Sequence, residues 1–366
     1  MVYLHPSIKN TRLVGRDSMM ERTGPHPLWL HLNGGAAMMA AASEDKLMFK
    51  ASSQMFQEAL SGVKSYHDSD IEPFHREMDI VFEINKTRVL KPKAWKGEAY
   101  VLLVPSLINS WHIFDIEQDH SLMACLYDNG LVPLVIEWAD PQDSFSFETY
   151  ITEHLKPICD ALDIESIIGY CMGGTMIAAL YCLYPDLKID KAILIAPPWD
   201  FDYQTPDQRM RIQSLAMQTH MMGHKVPRDY IQSLFWAVDP LQVFKKFQKF
   251  PKIANPQRFV RVEDWLNEGQ EVSRSVIQTC LFDWYRDNAI TKGEWVVDNA
   301  VIDDQSLPKK TIIVAGEKDH LVPFESLEQL TLNRDVVTVD TGHIGLMASD
   351  KSVTKAWQPI VNFLLD

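Results

Sequence analysis

The sequence predicts an α/β fold: a mainly parallel sheet flanked by helices, with a helical cap insertion and an N-terminal helical extension. Three observations predict it. Short apolar runs at 100–104, 131–136, 164–168 and 192–196 read as strands buried on both faces. Helix-like stretches separate them, and strands alternating with helices imply right-handed crossovers and parallel pairing. A glycine-rich turn, Gly169-Tyr170-Cys171-Met172-Gly173-Gly174, joins the third run to the helix after it.

Taken in order, residues 1–75 form the extension. Gly24-Pro25-His26-Pro27 is a breaker, and 28–62 reads as helices rich in Met and Ala. Met38, Met39, Met48 and Met55, with Phe49 and Phe56, make an adhesive apolar face that either packs on the core or meets a partner. The first part of the core spans 76–200 and opens with a strand pair, 79–84 and 87–90, turning at Asn85-Lys86. The strand at 100–104 leads into Pro105-Ser106-Leu107-Ile108-Asn109. Helices are expected over 116–128, ending at Gly130, and over 147–161. After the 192–196 strand and Pro197-Pro198-Trp199-Asp200 the alternation stops. Residues 201–300 form the cap, whose Trp236, Trp265, Trp284 and Trp295 either pack internally or line a channel. Alternation returns in the second part of the core, 301–366, with strands at 311–315 and 335–339 and a closing helix at 353–365.

The turn at 169–174 carries the chemistry. An apolar strand, a Gly-x-nucleophile-x-Gly turn and a helix make the nucleophile elbow of the α/β-hydrolase fold. The turn is so tight that a Cβ two residues before or after the nucleophile would collide with it. Chain order in this fold is nucleophile, acid, histidine. Asp319 follows the 311–315 strand and His343 follows the 335–339 strand, both at strand C-terminal ends, where such a sheet presents its site. Cys171, Asp319 and His343 are therefore the catalytic triad expected here. His320 competes as the base, but it lies on the acid loop with no later acid to orient it; Glu317 competes as the orienting acid. An oxyanion hole needs two backbone N–H groups. One is expected from Met172, the residue after the nucleophile, and the other from Leu107 or Ile108.

The nucleophile position holds cysteine where serine is usual. A thiolate attacks thioesters readily, and exchange between thiol and thioester is close to thermoneutral, so the acyl group stays activated on the enzyme. His343 can take the thiol proton and later deprotonate a hydroxyl acceptor, with Asp319 fixing the ring's tautomer. A buried inert thiol is the ordinary state of a free cysteine and suits Cys125, Cys159, Cys182 and Cys280, but not a residue projected by an elbow.

Composition bounds the rest. A formal net charge of −14 argues against a general nucleic-acid binder, and an anionic substrate would need a local basic patch. Five scattered cysteines read as reduced thiols of a cytoplasmic protein. No C-x-x-C pair or His cluster suggests a metal. No apolar signal segment opens the sequence, and no run of about 18 apolar residues could span a membrane. A soluble cytoplasmic protein is expected.

These residues resemble the polyhydroxyalkanoate synthase family, in its short synthase-like branch. Residues 169–174 look like its cysteine-bearing lipase box, and Val104-Pro105-Ser106-Leu107-Ile108-Asn109 resembles its post-strand loop. Asp319-His320-Leu321-Val322-Pro323 resembles its acid motif and Gly342-His343-Ile344-Gly345 its histidine motif. Trp284-Tyr285-Arg286-Asp287-Asn288 is similar to a cap segment of the shorter synthases. The likeness runs from about 102 to 366. It implies an acyltransferase that polymerises (R)-3-hydroxyacyl-CoA into polyhydroxyalkanoate and releases CoA, with no cofactor beyond the CoA thioester substrate. Cys171 would carry the growing chain, His343 would activate the thiol or the incoming 3-hydroxyl, and Asn288 and Trp199 are candidate substrate contacts. The implied partners are hydroxyacyl-CoA and the polyester chain, and the resemblance leaves room for a second synthase subunit, a homodimer and a granule surface. A cysteine hydrolase of the same fold, thioesterase or depolymerase, is the alternative, and a catalytically idle granule-binding protein is a further one.

Overall fold

The computed structural model describes residues 22–142 and 144–366, so the part of the extension before residue 22 lies outside the described residues. One sheet holds β1 (Met78–Ile84), β2 (Thr87–Pro92), β3 (Tyr100–Val104), β4 (Val132–Glu137), β5 (Ile164–Tyr170), β6 (Lys191–Ile195), β7 (Lys310–Gly316) and β8 (Asp335–Val339). Their order across it is β1-β2-β4-β3-β5-β6-β7-β8. β2 runs antiparallel to both neighbours, and the remaining pairs are parallel. The turn between β1 and β2 falls on Asn85 and Lys86, at φ 47° and 68°. That left-handed pair matches the twist of a two-residue hairpin. The central strands are buried on both faces, as the unbroken apolar run Val101 to Val104 requires.

The helix expected over 116–128 begins later, at Leu122, as α3 (Leu122–Asp128). Ser121 caps it, its Oγ accepting from the N–H of Ala124. The stretch before it forms a short antiparallel pair, Asp115–Glu117 with His120–Ser121. Charge explains the difference. Asp115 pairs with Arg76 at 2.8 Å, and Glu117 receives Arg258 at 2.6 Å and Arg261 at 3.1 Å, so both carboxylates serve contacts to other elements. The helical stretch 147–161, α4, is continuous but winds as a π-helix over Tyr150–Leu155.

Between β6 and β7 the chain forms helices Pro206–Gln218, Arg228–Val238, Gln242–Lys249, Pro256–Glu268 and Arg274–Gln278, the last running on as a π-helix, Thr279–Arg286. The extension supplies α1 (Leu28–Ala41) and α2 (Lys46–His67). The Met- and Phe-rich face divides between interior and surface. Met55 and Phe56 pack with Phe244, Phe247 and Tyr66 in a satellite core, whereas Met48 and Phe49 are exposed. A buried ion pair ties the same layers together. Arg22 grips Asp264 through Nε and Nη2, each at 2.8 Å, and the Tyr66 hydroxyl donates to the same carboxylate at 2.8 Å.

α2 reaches this packing through Gly62, where a Cβ would lie 2.0 Å from the carbonyl oxygen of Phe247. Gly62→Ala should therefore lower the denaturant midpoint by the equivalent of about 1–3 kcal/mol, the usual cost of overpacking. An unshifted midpoint would show that α2 is not seated against the 242–249 helix.

Candidate active site

β5 ends at Tyr170, and Cys171 follows at φ 55° and ψ −128° before the helix α5 (Met172–Leu183) begins. A non-glycine residue held at positive φ stores of the order of 1–3 kcal/mol of strain, which the surroundings must enforce. They do so by close approach. A Cβ at Gly173 would lie 2.1 Å from the carbonyl oxygen of Val104, and one at Gly169 would lie 2.6 Å from the backbone of Gly173 and Gly174. Any larger residue would push α5 off the strands and turn Cys171 away.

Asp319 and His343 meet beside that turn. Nδ1 of His343 lies 2.7 Å from Oδ2 of Asp319, so the nitrogen carries the proton that the carboxylate accepts. The other carboxylate oxygen accepts the N–H groups of Leu321 and Val322, each at 2.8 Å. Asp319 is thus buried yet fully bonded, while Glu317 and His320 on the same loop are exposed. The structure brings together Cys171, Asp319 and His343 and leaves both competitors outside that set. Burial works against the imidazolium of His343. The Asp319 charge, Cys171 and hydrogen bonds to both outweigh it, so the pKa of His343 is raised to about 10. Tyr170 braces the ring at a centroid separation of 5.2 Å and donates to the carbonyl of His343 at 3.3 Å. An imidazolium so held can balance negative charge on the sulfur during attack and give a proton to a leaving group.

Met172 is the first residue of α5, so its N–H has no carbonyl a turn earlier and is free to donate. The loop after β3 supplies Ile108 to the wall of the site, but its N–H faces Ser106 Oγ at 3.3 Å. Leu107 is buried in the core and its N–H has no partner among the described residues.

These groups open into a cavity of about 410 Å³. The core contributes Cys171 and His343, the cap segment contributes Trp265 and Tyr285, and the extension contributes Pro25 and His31. Trp236 and Trp284 also reach it, whereas Trp295 packs elsewhere, so the cap tryptophans divide between lining and core. Two expected contacts do not reach the cavity. Trp199 is fully buried and is not part of the cavity wall. Asn288, at φ 52°, accepts the N–H of Phe201 at 3.1 Å and donates to Asp200 at 3.0 Å, so its amide is spent on holding two chain segments together. Cys280 departs in the other direction, since it lines the cavity with Cys171. Burial, with Cys171 nearby, pushes its thiol well above the ordinary range. Among the described residues no cluster of His, Cys, Asp or Glu could hold a metal, and no helix is long and apolar enough to cross a membrane.

Residues 101–350 match the family described as the alpha/beta hydrolase fold. The chain belongs to that family. Among solved α/β-hydrolase structures it is similar to a carboxylesterase of Nitrososphaera gargenis, with a TM-score of 0.51 and 12% identity over 79% of this chain and 99% of that one. It is similar also to a monoacylglycerol lipase of Paleococcus ferrophilus, with a TM-score of 0.50 and 14% identity over 78% and 99%. At such identities the likeness is one of fold alone. By sequence the chain is similar to the poly(3-hydroxyalkanoate) polymerase subunit PhaC of Haloferax mediterranei, 27% identical over 79% of this chain and 63% of the relative. The same subunit of Haloarcula marismortui is 26% identical over 78% and 66%, and that of Synechocystis sp. 25% over 81% and 86%. The chain therefore spans less than two thirds of the length of the first two relatives.

The raised pKa of His343 has a signed consequence for stability. Its folded value of about 10 stands above the ordinary 6.5, so its contribution is complete below about pH 6.5 and is lost as pH rises through about 10. The gap in urea midpoint between wild type and His343→Asn should be widest below pH 6.5 and narrow toward pH 10. A gap that widens with pH contradicts the coupling of His343 to Asp319 and Cys171.

Proposed function

We propose that the protein is an acyltransferase that polymerises (R)-3-hydroxyacyl-CoA into polyhydroxyalkanoate with release of CoA. The observation that carries this reading is the cysteine at the elbow, coupled through His343 to Asp319 within a largely apolar cavity. Similarity to polymerase subunits over about four fifths of the chain supports the same substrate class. The sulfur of Cys171 attacks the thioester carbonyl, and Met172 N–H, with that of Leu107 or Ile108, takes up charge on the carbonyl oxygen. The C–S bond to CoA breaks as His343 supplies the proton to the departing thiolate. The acyl group is left on Cys171 as a thioester. A 3-hydroxyl then approaches, gives its proton to His343 and attacks, forming an ester and freeing the Cys171 sulfur for the next cycle.

This reading calls for no cofactor. It places hydroxyacyl-CoA and the growing chain as ligands of the cavity, and the protein in the cytoplasm with the polymer it makes. A second synthase subunit, a second copy or the granule surface would meet the apolar face around Met48 and Phe49.

The test is purified protein given 3-hydroxybutyryl-CoA, with free CoA and the acyl product both followed. Polymer is expected. Free hydroxy acid in stoichiometry with CoA would instead make the protein a hydrolase, and absence of CoA release across chain lengths, with candidate partner subunits added, would leave a binding protein. Cys171→Ala should abolish CoA release. Cys171→Ser should lose most polymerisation while keeping the fold, because an oxygen ester is a poorer acyl donor than a thioester. Activity retained by Cys171→Ala would remove the mechanism.

A further inference from the structure

One wall of the cavity comes from the chain just after the Arg274–Gln278 helix. There the backbone winds as a π-helix, Thr279–Arg286, and Cys280, Leu281, Trp284 and Tyr285 all line the cavity. The wider winding of a π-turn gathers these four positions on one narrow face, and such turns recur at functional sites. Tyr285 alone among them brings a hydroxyl. Burial keeps that phenol protonated, with Cys280, Cys171 and Asp319 near enough to reinforce the effect, so it stands as an O–H donor through the neutral range. Among the described residues it has no hydrogen-bond partner.

Its ring is nonetheless fixed. Phe201 packs against it with centroids 4.6 Å apart, and the Phe201 backbone is held by Asn288, whose own N–H closes the turn onto the carbonyl of Trp284 at 2.9 Å. The amide that sequence motifs place near the substrate therefore serves to hold the tyrosine. A rigid, unpartnered hydroxyl on the wall of an apolar cavity gains most from a ligand oxygen that pairs with it as the ligand displaces water.

We propose that Tyr285 is a substrate-recognising residue whose hydroxyl donates to the 3-hydroxyl oxygen of the acyl group, so that the site selects hydroxyacyl thioesters over plain acyl thioesters. The inference rests on the acyl-transfer reading above. Accepting from Tyr285 leaves the substrate hydroxyl's own proton free for His343, so the same contact that selects the substrate also orients it for transfer.

The test is the burst of CoA released on acylation by 3-hydroxybutyryl-CoA and by butyryl-CoA, in wild type and in Tyr285→Phe. Wild type should favour the hydroxyacyl thioester, and Tyr285→Phe should reduce that ratio about tenfold or more, the scale of a lost buried hydrogen bond to substrate. The alkylation rate of Cys171 by iodoacetamide, compared in the two proteins, checks that the elbow is intact. An unchanged ratio, or an equal loss on both thioesters, overturns this proposal and leaves the acyl-transfer reading standing. A wild type that takes acyl groups from neither thioester removes that reading and this proposal together.

Discussion

The close approach of α5 to the strands beneath it is the constraint on which the rest of the site depends. Gly173 sits where a side chain would strike the Val104 carbonyl, and Gly169 where one would strike Gly173 and Gly174. Only that approach holds Cys171 at positive φ with its sulfur beside the histidine. The sheet then sets the remaining distances. Tyr170 pairs with Ile195, Ile195 with Val314, and Gly316 with Val339, so the strands that lead to Cys171, Asp319 and His343 end at nearly the same level. Their following loops converge because parallel register leaves them no other edge to leave from.

The core supplies Cys171, Asp319 and His343, and two other parts of the chain supply walls. The cap segment closes the cavity with Trp265, Leu281 and Tyr285, and the extension reaches it with Pro25 and His31. The buried Arg22–Asp264 pair locks extension to cap, since either charge alone in that place would be strongly unfavourable. Tyr203, whose hydroxyl donates to the Leu321 carbonyl at 2.7 Å, ties the chain entering the cap to the acid loop. The shape of the cavity is thus coupled to the loop that orients His343.

Much of this was legible in the sequence because the constraints there are local. An elbow needs glycines at fixed spacing, strand C-termini are where the triad must stand, and Asn85-Lys86 suits a left-handed turn; each leaves a mark within a few residues. Contacts across the fold leave none. Glu117 breaks the expected helix at 116–128 because arginines from the 256–268 helix claim it, and their spacing to Glu117 in the chain carries no signal. Asn288 and Trp199 lie close in sequence to the site's elements, yet one ties two segments and the other fills the core. Tyr285 was hidden by its setting among packing aromatics. Its hydroxyl, on a π-wound turn that faces the cavity, separates it from them, and neither that placement nor a change of helical pitch has a compositional signature.

The central claim is that Cys171 holds the acyl group as a thioester, and trapping that species tests it most directly. Protein quenched in acid shortly after mixing with 3-hydroxybutyryl-CoA is digested and read by peptide mass spectrometry. The peptide containing Cys171 should carry one or more hydroxybutyryl units, removed by neutral hydroxylamine as a thioester is. Acyl units found on another residue, or CoA released with Cys171 never acylated, would contradict the account.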